Sequence, residues 1–396
     1  MKESLPLSGL LALAMTGFVA IMTETLPAGL LPQISHGMNI SQSMAGQLVT
    51  LYALGSLIAA IPLTALTRGW QRRTALNTAI LGFFIFNSLT ALSSNLWLTM
   101  AARFMAGAAA GLAWGLLAGY ARRMVPTHRQ GRAMAIAMTG APIALAIGVP
   151  LGAWLGNMVS WRIVFGSMSG LTVLLVVWVN LSLPNFAGQL SAQRQPVSKV
   201  FTLPGVRPIL AVIVLWVLAH NILYTYIAPF LAPAGMAHQV DKVLLAFGLS
   251  ALAGIGLAGW GVDRWLRRAV LLSLGGFALA TLALGFSGHS PAVIYCSILL
   301  WGITFGGAPA LLQTASADAT GANADIAQSM IVVAWNLAIA GGGIIGGLLL
   351  QDAGVSAFPW VMMALLMVAG YIAWRAREYG FKAGVRGADH PAAVTE

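Results

Sequence analysis

The 396-residue sequence alternates long apolar runs with short polar breaks, some of which carry clusters of arginine. A membrane-crossing helix needs about 20 apolar residues to traverse a hydrocarbon core of about 30 Å. On that measure the pattern predicts twelve spans, at 5–31, 46–66, 74–93, 96–121, 133–157, 161–184, 208–234, 243–262, 269–288, 291–315, 325–351 and 357–374. Helices are expected because lipid offers backbone groups no partners, whereas membrane β-strands would read as short alternating segments. The run from Leu5 to Leu31 exceeds a signal-peptide core and lacks a clean small-residue cleavage site, so it is expected to be kept as a span.

Composition agrees with this reading. The hydrophobic share is 59%, the charged share 8% and the mean hydropathy +0.84, against roughly 25% charged residues in soluble domains. A net charge of +11 would suit nucleic acid only if the basic residues shared a soluble face. They are instead dealt out between the apolar runs. Lys2 precedes span one; Arg68, Arg72 and Arg73 follow span two; Arg122, Arg123, Arg129 and Arg132 follow span four. Arg194, Lys199 and Arg207 follow span six; Arg264, Arg267 and Arg268 follow span eight; Arg375, Arg377, Lys382 and Arg386 follow span twelve. Only Arg162 and Lys242 fall on the other side, and Arg103 lies within span four. Retention of Lys and Arg in the cytoplasm thus places both termini there. An odd number of spans would scramble the asymmetry. The single Cys296 excludes an intramolecular disulfide and is expected to be a small buried hydrophobe.

The longest connection, 185–207, is polar and carries Pro196 and Pro204. It divides the chain into a six-span bundle over 1–184 and a second over 208–396 with a short tail. Thr67-Arg68-Gly69-Trp70-Gln71-Arg72-Arg73 and Asp263-Arg264-Trp265-Leu266-Arg267-Arg268 occupy matching places in the two halves, which suggests duplication. Glycines recur every four residues in span four at Gly107, Gly111, Gly115 and Gly119. Span five carries Gly140, Ala144, Gly148, Gly152 and Gly156 with Pro142 and Pro150, and span eleven carries Gly341, Gly342, Gly343, Gly346 and Gly347. Such stripes let helix backbones approach closely, either as static packing or as smooth faces for halves that rock.

These residues resemble the major facilitator superfamily over essentially the whole length, in particular its drug/proton antiporter branch with bacterial sugar-, arabinose- and purine-nucleoside-efflux proteins. Thr23-Glu24-Thr25-Leu26-Pro27-Ala28-Gly29-Leu30-Leu31 is similar to the branch signature in span one. Gly140 to Gly152, ending Gly148-Val149-Pro150-Leu151-Gly152, resembles the span-five antiporter motif, and Arg103 with Gly107 the span-four motif. Ala219-His220, Tyr224-x-Tyr226-Ile227, Pro229-Phe230, and Ala317-Asp318-Ala319-Thr320 ahead of span eleven resemble the sugar-efflux members. The resemblance implies an all-α membrane fold of two six-helix halves, a bacterial inner-membrane location, exchange more than uptake, and a proton-coupling role for Arg103. Where the superfamily has an aspartate in the loop after span two, this chain has Thr67, which weakens the expected first-half latch; Asp263 keeps it in the second half.

An ionisable group within the membrane costs at least about 2.5 kcal/mol on insertion scales and is a functional candidate by default. Three stand out as proton-coupling candidates. Glu24 lies one turn before Pro27, where burial and a nearby cation act on its carboxyl in opposite directions. Arg103 keeps its proton and would tune an acid or bind an anion. His220 could relay protons or bond a substrate, with Tyr224 one turn on. Each has a structural alternative: ion pair or cap, helix lock, satisfied interhelical histidine. Asn87, Trp114, Asn221, Tyr224, Gln313, Trp335 and Asn336, with His220, are the substrate-binding candidates, and packing is the alternative for each. Gating candidates are Pro27, Arg68, Arg72, Gly140, Pro142, Gly148, Pro150, Gly152, Asp263, Arg264 and Arg267. Asp318 and Asp325 read as latch or capping groups for span eleven.

No phosphate-cradling loop is present, so an ion gradient is the expected energy source. The 6 histidines are scattered, which disfavours a membrane enzyme or a metal site, and no cofactor is expected. The expectation is a monomeric proton-coupled exporter of a small molecule, and the family resemblance implies a sugar, a nucleoside or a drug-like compound such as an amphenicol. Proton-coupled import is the alternative.

Overall fold

The computed structural model describes residues 5–67, 69–188, 197–321 and 324–382. Among them, eleven helices are long and apolar enough to cross a membrane. Spans one to seven are Leu7–Gly29, Gln42–Leu66, Arg72–Leu92, Leu96–Arg123, Gln130–Met158, Trp161–Ser182 and Val206–Thr225. The next helix, Val240–Ser287, would be about 70 Å long if straight, twice the hydrocarbon thickness. It is broken at Trp265 (φ −137, ψ 32), within the basic connection, and so holds spans eight and nine. Pro291–Thr320, Ala324–Asp352 and Phe358–Arg375 complete the twelve. Arg68 and the side chain of Asp325 lie outside the described residues.

Proline and glycine shape the spans locally. Span one ends at Gly29, two residues after Pro27, and is capped by Leu30 (φ −115, ψ 15). Span five contains a π-helical turn at Ala144–Gly148, between Pro142 and Pro150. Pro150 has no N–H to give the carbonyl four residues back, so the helix widens before it. Span ten runs on to Thr320, which puts the Ala317–Thr320 string in its last turn and not ahead of span eleven.

Helices already in lipid gain little from apolar burial, so close backbone approach carries the packing. A Cβ at Gly107 would overlap the Tyr52 carbonyl, and one at Gly55 the Phe104 carbonyl. In the second half a Cβ at Gly306 would overlap the Ala251 carbonyl, and one at Gly254 the Ile303 carbonyl. Tyr52 with Ala251, Gly55 with Gly254, Phe104 with Ile303, and Gly107 with Gly306 stand at one constant separation along the chain. The crossing of spans two and four thus recurs as the crossing of spans eight and ten. Along span five, Cβ atoms at Gly140, Gly148, Gly152 and Gly156 would overlap Ala14, Met22, Leu26 and Leu30 of span one. The glycine stripe is therefore the bed on which the Glu24 helix lies.

The chain divides into two compact units. One comprises Met1–Gln193, Leu223–Leu245 and Ile339–Ala353; the other comprises Arg194–Ile222, Ala246–Ala338 and Gly354–Glu396. Cys296, expected to be buried, is exposed on span ten. An apolar side chain facing lipid has no drive inward, so an apolar run does not imply a core position.

Candidate functional site

In the first unit the site begins with a missing hydrogen-bond donor. A helical carbonyl accepts from the N–H four residues on, and for Thr23 that residue is Pro27, which has none. Arg103 of span four takes its place: Nη2 donates to the Thr23 carbonyl at 2.5 Å and more weakly to that of Glu24 at 3.4 Å, while Nε reaches the Leu48 carbonyl of span two at 3.4 Å. The guanidinium is fully buried. Its carbon lies 5.0 Å from the Tyr52 ring centroid and 5.6 Å from that of Phe165, so ring faces add to the carbonyl dipoles in replacing water. Tyr52 is itself fixed by its hydroxyl, which donates to the Ala20 carbonyl at 2.8 Å.

Glu24, the next residue, is buried and within electrostatic reach of Arg103. Among the described contacts the guanidinium bonds main-chain oxygen atoms of the glutamate's own turn and not its carboxylate. Asn87, fully buried on span three, donates from Nδ2 to the Thr23 hydroxyl at 2.9 Å. Thr23 is therefore held at both ends, and Asn87 sits in the charged cluster rather than at an open surface. Trp114 is half-buried, its ring edge against Gly17 of span one.

In the second unit the His220 ring lies flat on Phe305, with centroids 3.7 Å apart and planes within 3°. Trp301 and Phe247 approach the same imidazole at 5.1 and 5.6 Å. Half-buried Trp335 lies 6.3 Å from Phe305. Asn221 and Asn336 are buried, and each donates to the carbonyl four residues back at 2.9 Å, leaving its amide oxygen for another partner. Gln313 is exposed on span ten. Tyr224 belongs to the first unit and interacts electrostatically with Glu24.

Sequence reasoning missed a third cluster, also in the first unit, at the ends of the spans remote from the arginine-rich connections. Gln47 and Tyr226 both donate to the Gly343 carbonyl, at 3.1 and 2.8 Å, and the Gln47 amide also donates to the Tyr226 hydroxyl oxygen at 3.1 Å; the Ser43 hydroxyl donates to the Gly347 carbonyl at 3.0 Å. A Cβ at Gly46 would strike the Tyr226 ring, and one at Gly343 the Thr50 hydroxyl. The clue was the pair Ser43 and Gln47, polar and one turn apart at the entry to an apolar helix.

At the arginine-rich connections, Arg267 donates to the carbonyls of Ala373, Trp374 and Phe381 at 2.9, 2.7 and 3.3 Å, closing the end of span twelve. Arg73 does the same for span six through the carbonyls of Asn180 and Leu183, each at 3.3 Å. The main-chain N–H of Arg72 donates to the Phe186 carbonyl. Asp263 and Arg264 are exposed. Thr67, in the place of the family's aspartate, spends its hydroxyl on the Leu63 carbonyl of its own helix at 2.8 Å.

The chain that builds these spans and this buried cluster matches one family model, that of the Major Facilitator Superfamily, over residues 13–340 and 238–395. The chain belongs to the Major Facilitator Superfamily. It is a multi-pass membrane transporter of small molecules. It is 29% identical over 375 residues to "Transcription regulatory protein OpdE" of Pseudomonas aeruginosa, spanning 92% of each chain. It is also 29% identical over 354 residues to the purine ribonucleoside efflux pump NepI of Shigella dysenteriae, spanning 88% of this chain and 89% of that one. The inward-open xylose transporter XylE of Escherichia coli shares the fold, with a TM-score of 0.76, 17% identity, and 96% and 97% of the two chains covered.

Proposed function

We propose that this transporter exports a small uncharged molecule from the bacterial cytoplasm in exchange for protons. The carrying observation is Glu24, a buried carboxyl on the turn that Pro27 opens and Arg103 holds. Arg103 cannot give up its proton, so it supplies a constant field while Glu24 loads and releases one. Protonation removes a buried charge and so favours one of two access states over the other. The halves over 1–184 and 208–396, joined by 185–207, are the moving bodies, with both termini in the cytoplasm. The chain works as a monomer in the inner membrane, without nucleic acid or cofactor.

On this topology the Gln47–Tyr226–Gly343 cluster lies at the outer face and is the latch that must part when the site opens outward. The rings of His220, Phe305 and Trp335 with the amides of Asn221 and Asn336 suit a neutral solute carrying a planar ring. The export pump NepI makes a purine ribonucleoside the first probe.

The test uses proteoliposomes with an imposed pH gradient. Wild type accumulates the nucleoside uphill, and Glu24→Gln retains only downhill exchange; unchanged uphill transport would remove Glu24 from the mechanism. Everted vesicles made acid inside should accumulate the probe. Accumulation only in right-side-out vesicles would establish import instead. A thermal-shift screen of sugars, nucleosides and amphenicols on purified protein separates the substrate classes.

A further inference from the structure

Resting on that reading of Glu24, we infer that Thr23 and Asn87 are a positioning pair that sets where the Glu24 carboxyl stands and hence the pH range over which it exchanges its proton. Span one is bonded at Thr23 from two other helices. Asn87 of span three holds the hydroxyl, and Arg103 of span four holds the carbonyl that Pro27 leaves without a helical donor. All three side chains, of Thr23, Asn87 and Arg103, are fully buried. The clamp also has unspent capacity on both sides of Thr23: Asn87 Oδ1 and Arg103 Nη1 are buried with no hydrogen-bond partner.

The groups that bear on the carboxyl come from every helix around it. Arg103 faces it from span four, Tyr52 from span two and Tyr224 from span seven. Span five offers glycines against Met22 and Leu26, and span six offers Phe165, which lies against Arg103. Span three contributes Asn87, which is uncharged. Asn87 therefore acts on the proton site through the position of the turn, not through a charge of its own.

The decisive measurement is an infrared pH titration of the purified full chain, which needs no substrate. The carboxyl band that Glu24→Gln removes reports Glu24. Thr23→Val keeps the side-chain shape and deletes the hydroxyl that Asn87 bonds, and Asn87→Ala deletes the donor. Each is expected to move the midpoint of that band by at least about half a pH unit, roughly threefold in proton affinity, while Thr23→Ser restores it. A midpoint unmoved in folded Thr23→Val overturns the inference whatever Asn87→Ala does, and so does a Glu24→Gln difference spectrum with no titrating band. Unchanged uphill transport of the purine ribonucleoside by Glu24→Gln would instead overturn the proton-coupling reading, leaving the band shift to be judged on its own.

Discussion

The two halves of this transporter share a crossing and differ in what they put on it. In the first, Arg103 stands one residue before Phe104 at the crossing and reaches the Leu48 carbonyl. In the second, the residues at the same separation along the chain are Gly302 and Phe247, and a Cβ at Gly302 would already crowd the Phe247 carbonyl and overlap the Ser250 hydroxyl. There is no room for a side chain where the first half holds a guanidinium. Aromatic rings fill the layer instead: Trp301 lies 4.3 Å from Phe247 and 5.9 Å from Phe277, and His220 stacks nearby on Phe305. One scaffold, used twice, thus presents a charged cluster in one half and ring faces in the other. Backbone contact is what the two crossings share, and the side chains beside it differ.

The most damaging way to break this equivalence is to fill the crossings. Gly107→Leu and Gly306→Leu should each cost about 3 kcal/mol through overpacking against backbone, read as loss of folded protein in thermal unfolding. Gly119→Ala, with nothing within 4 Å of the new methyl, should stay within about 0.5 kcal/mol. A half that tolerates its leucine would sink the shared crossing.

Removing the charge tests the first half alone. Arg103→Met strands the Thr23 carbonyl, at about 1 to 3 kcal/mol, and should lower proton-driven transport on the order of a hundredfold, with Arg103→Lys intermediate. In the second half His220→Leu gives up ring stacking worth about 1 kcal/mol. It should weaken KM for a ring-bearing substrate about fivefold while leaving the pH profile of transport unmoved. A shifted profile would place proton chemistry in the aromatic half. The smallest effects lie at the helix ends: Arg267→Gln should lower stability by about 1 kcal/mol and Arg73→Gln by about half that. The order follows from three carbonyls capped against two, and melting temperatures would check it.

Much of the fold was legible because lipid imposes a simple rule: each crossing needs about 20 apolar residues, and the polar breaks must lie between them. Span boundaries fell within a few residues except where span seven bends at Tyr226 and span ten continues to Thr320, since periodicity says nothing about a kink or an extra turn. The site was legible as a set of residues but not as a set of bonds. Glu24, Arg103 and Asn87 stood out because polarity is costly in an apolar run. That Arg103 would choose a carbonyl over the carboxylate followed from Pro27, whose missing N–H acts four residues back on Thr23.

By itself the sequence determined a twelve-span helical membrane protein, because hydrophobic length is a property of composition along a line. Only the tertiary structure decided that Cys296 faces outward, that Thr67 caps its own helix, and that Ser43, Gln47 and Tyr226 close on the glycines of span eleven. Those outcomes depend on which helix faces which and at what distance. In a membrane, where apolar residues are equally at home on either side of a helix, the linear pattern does not encode that choice.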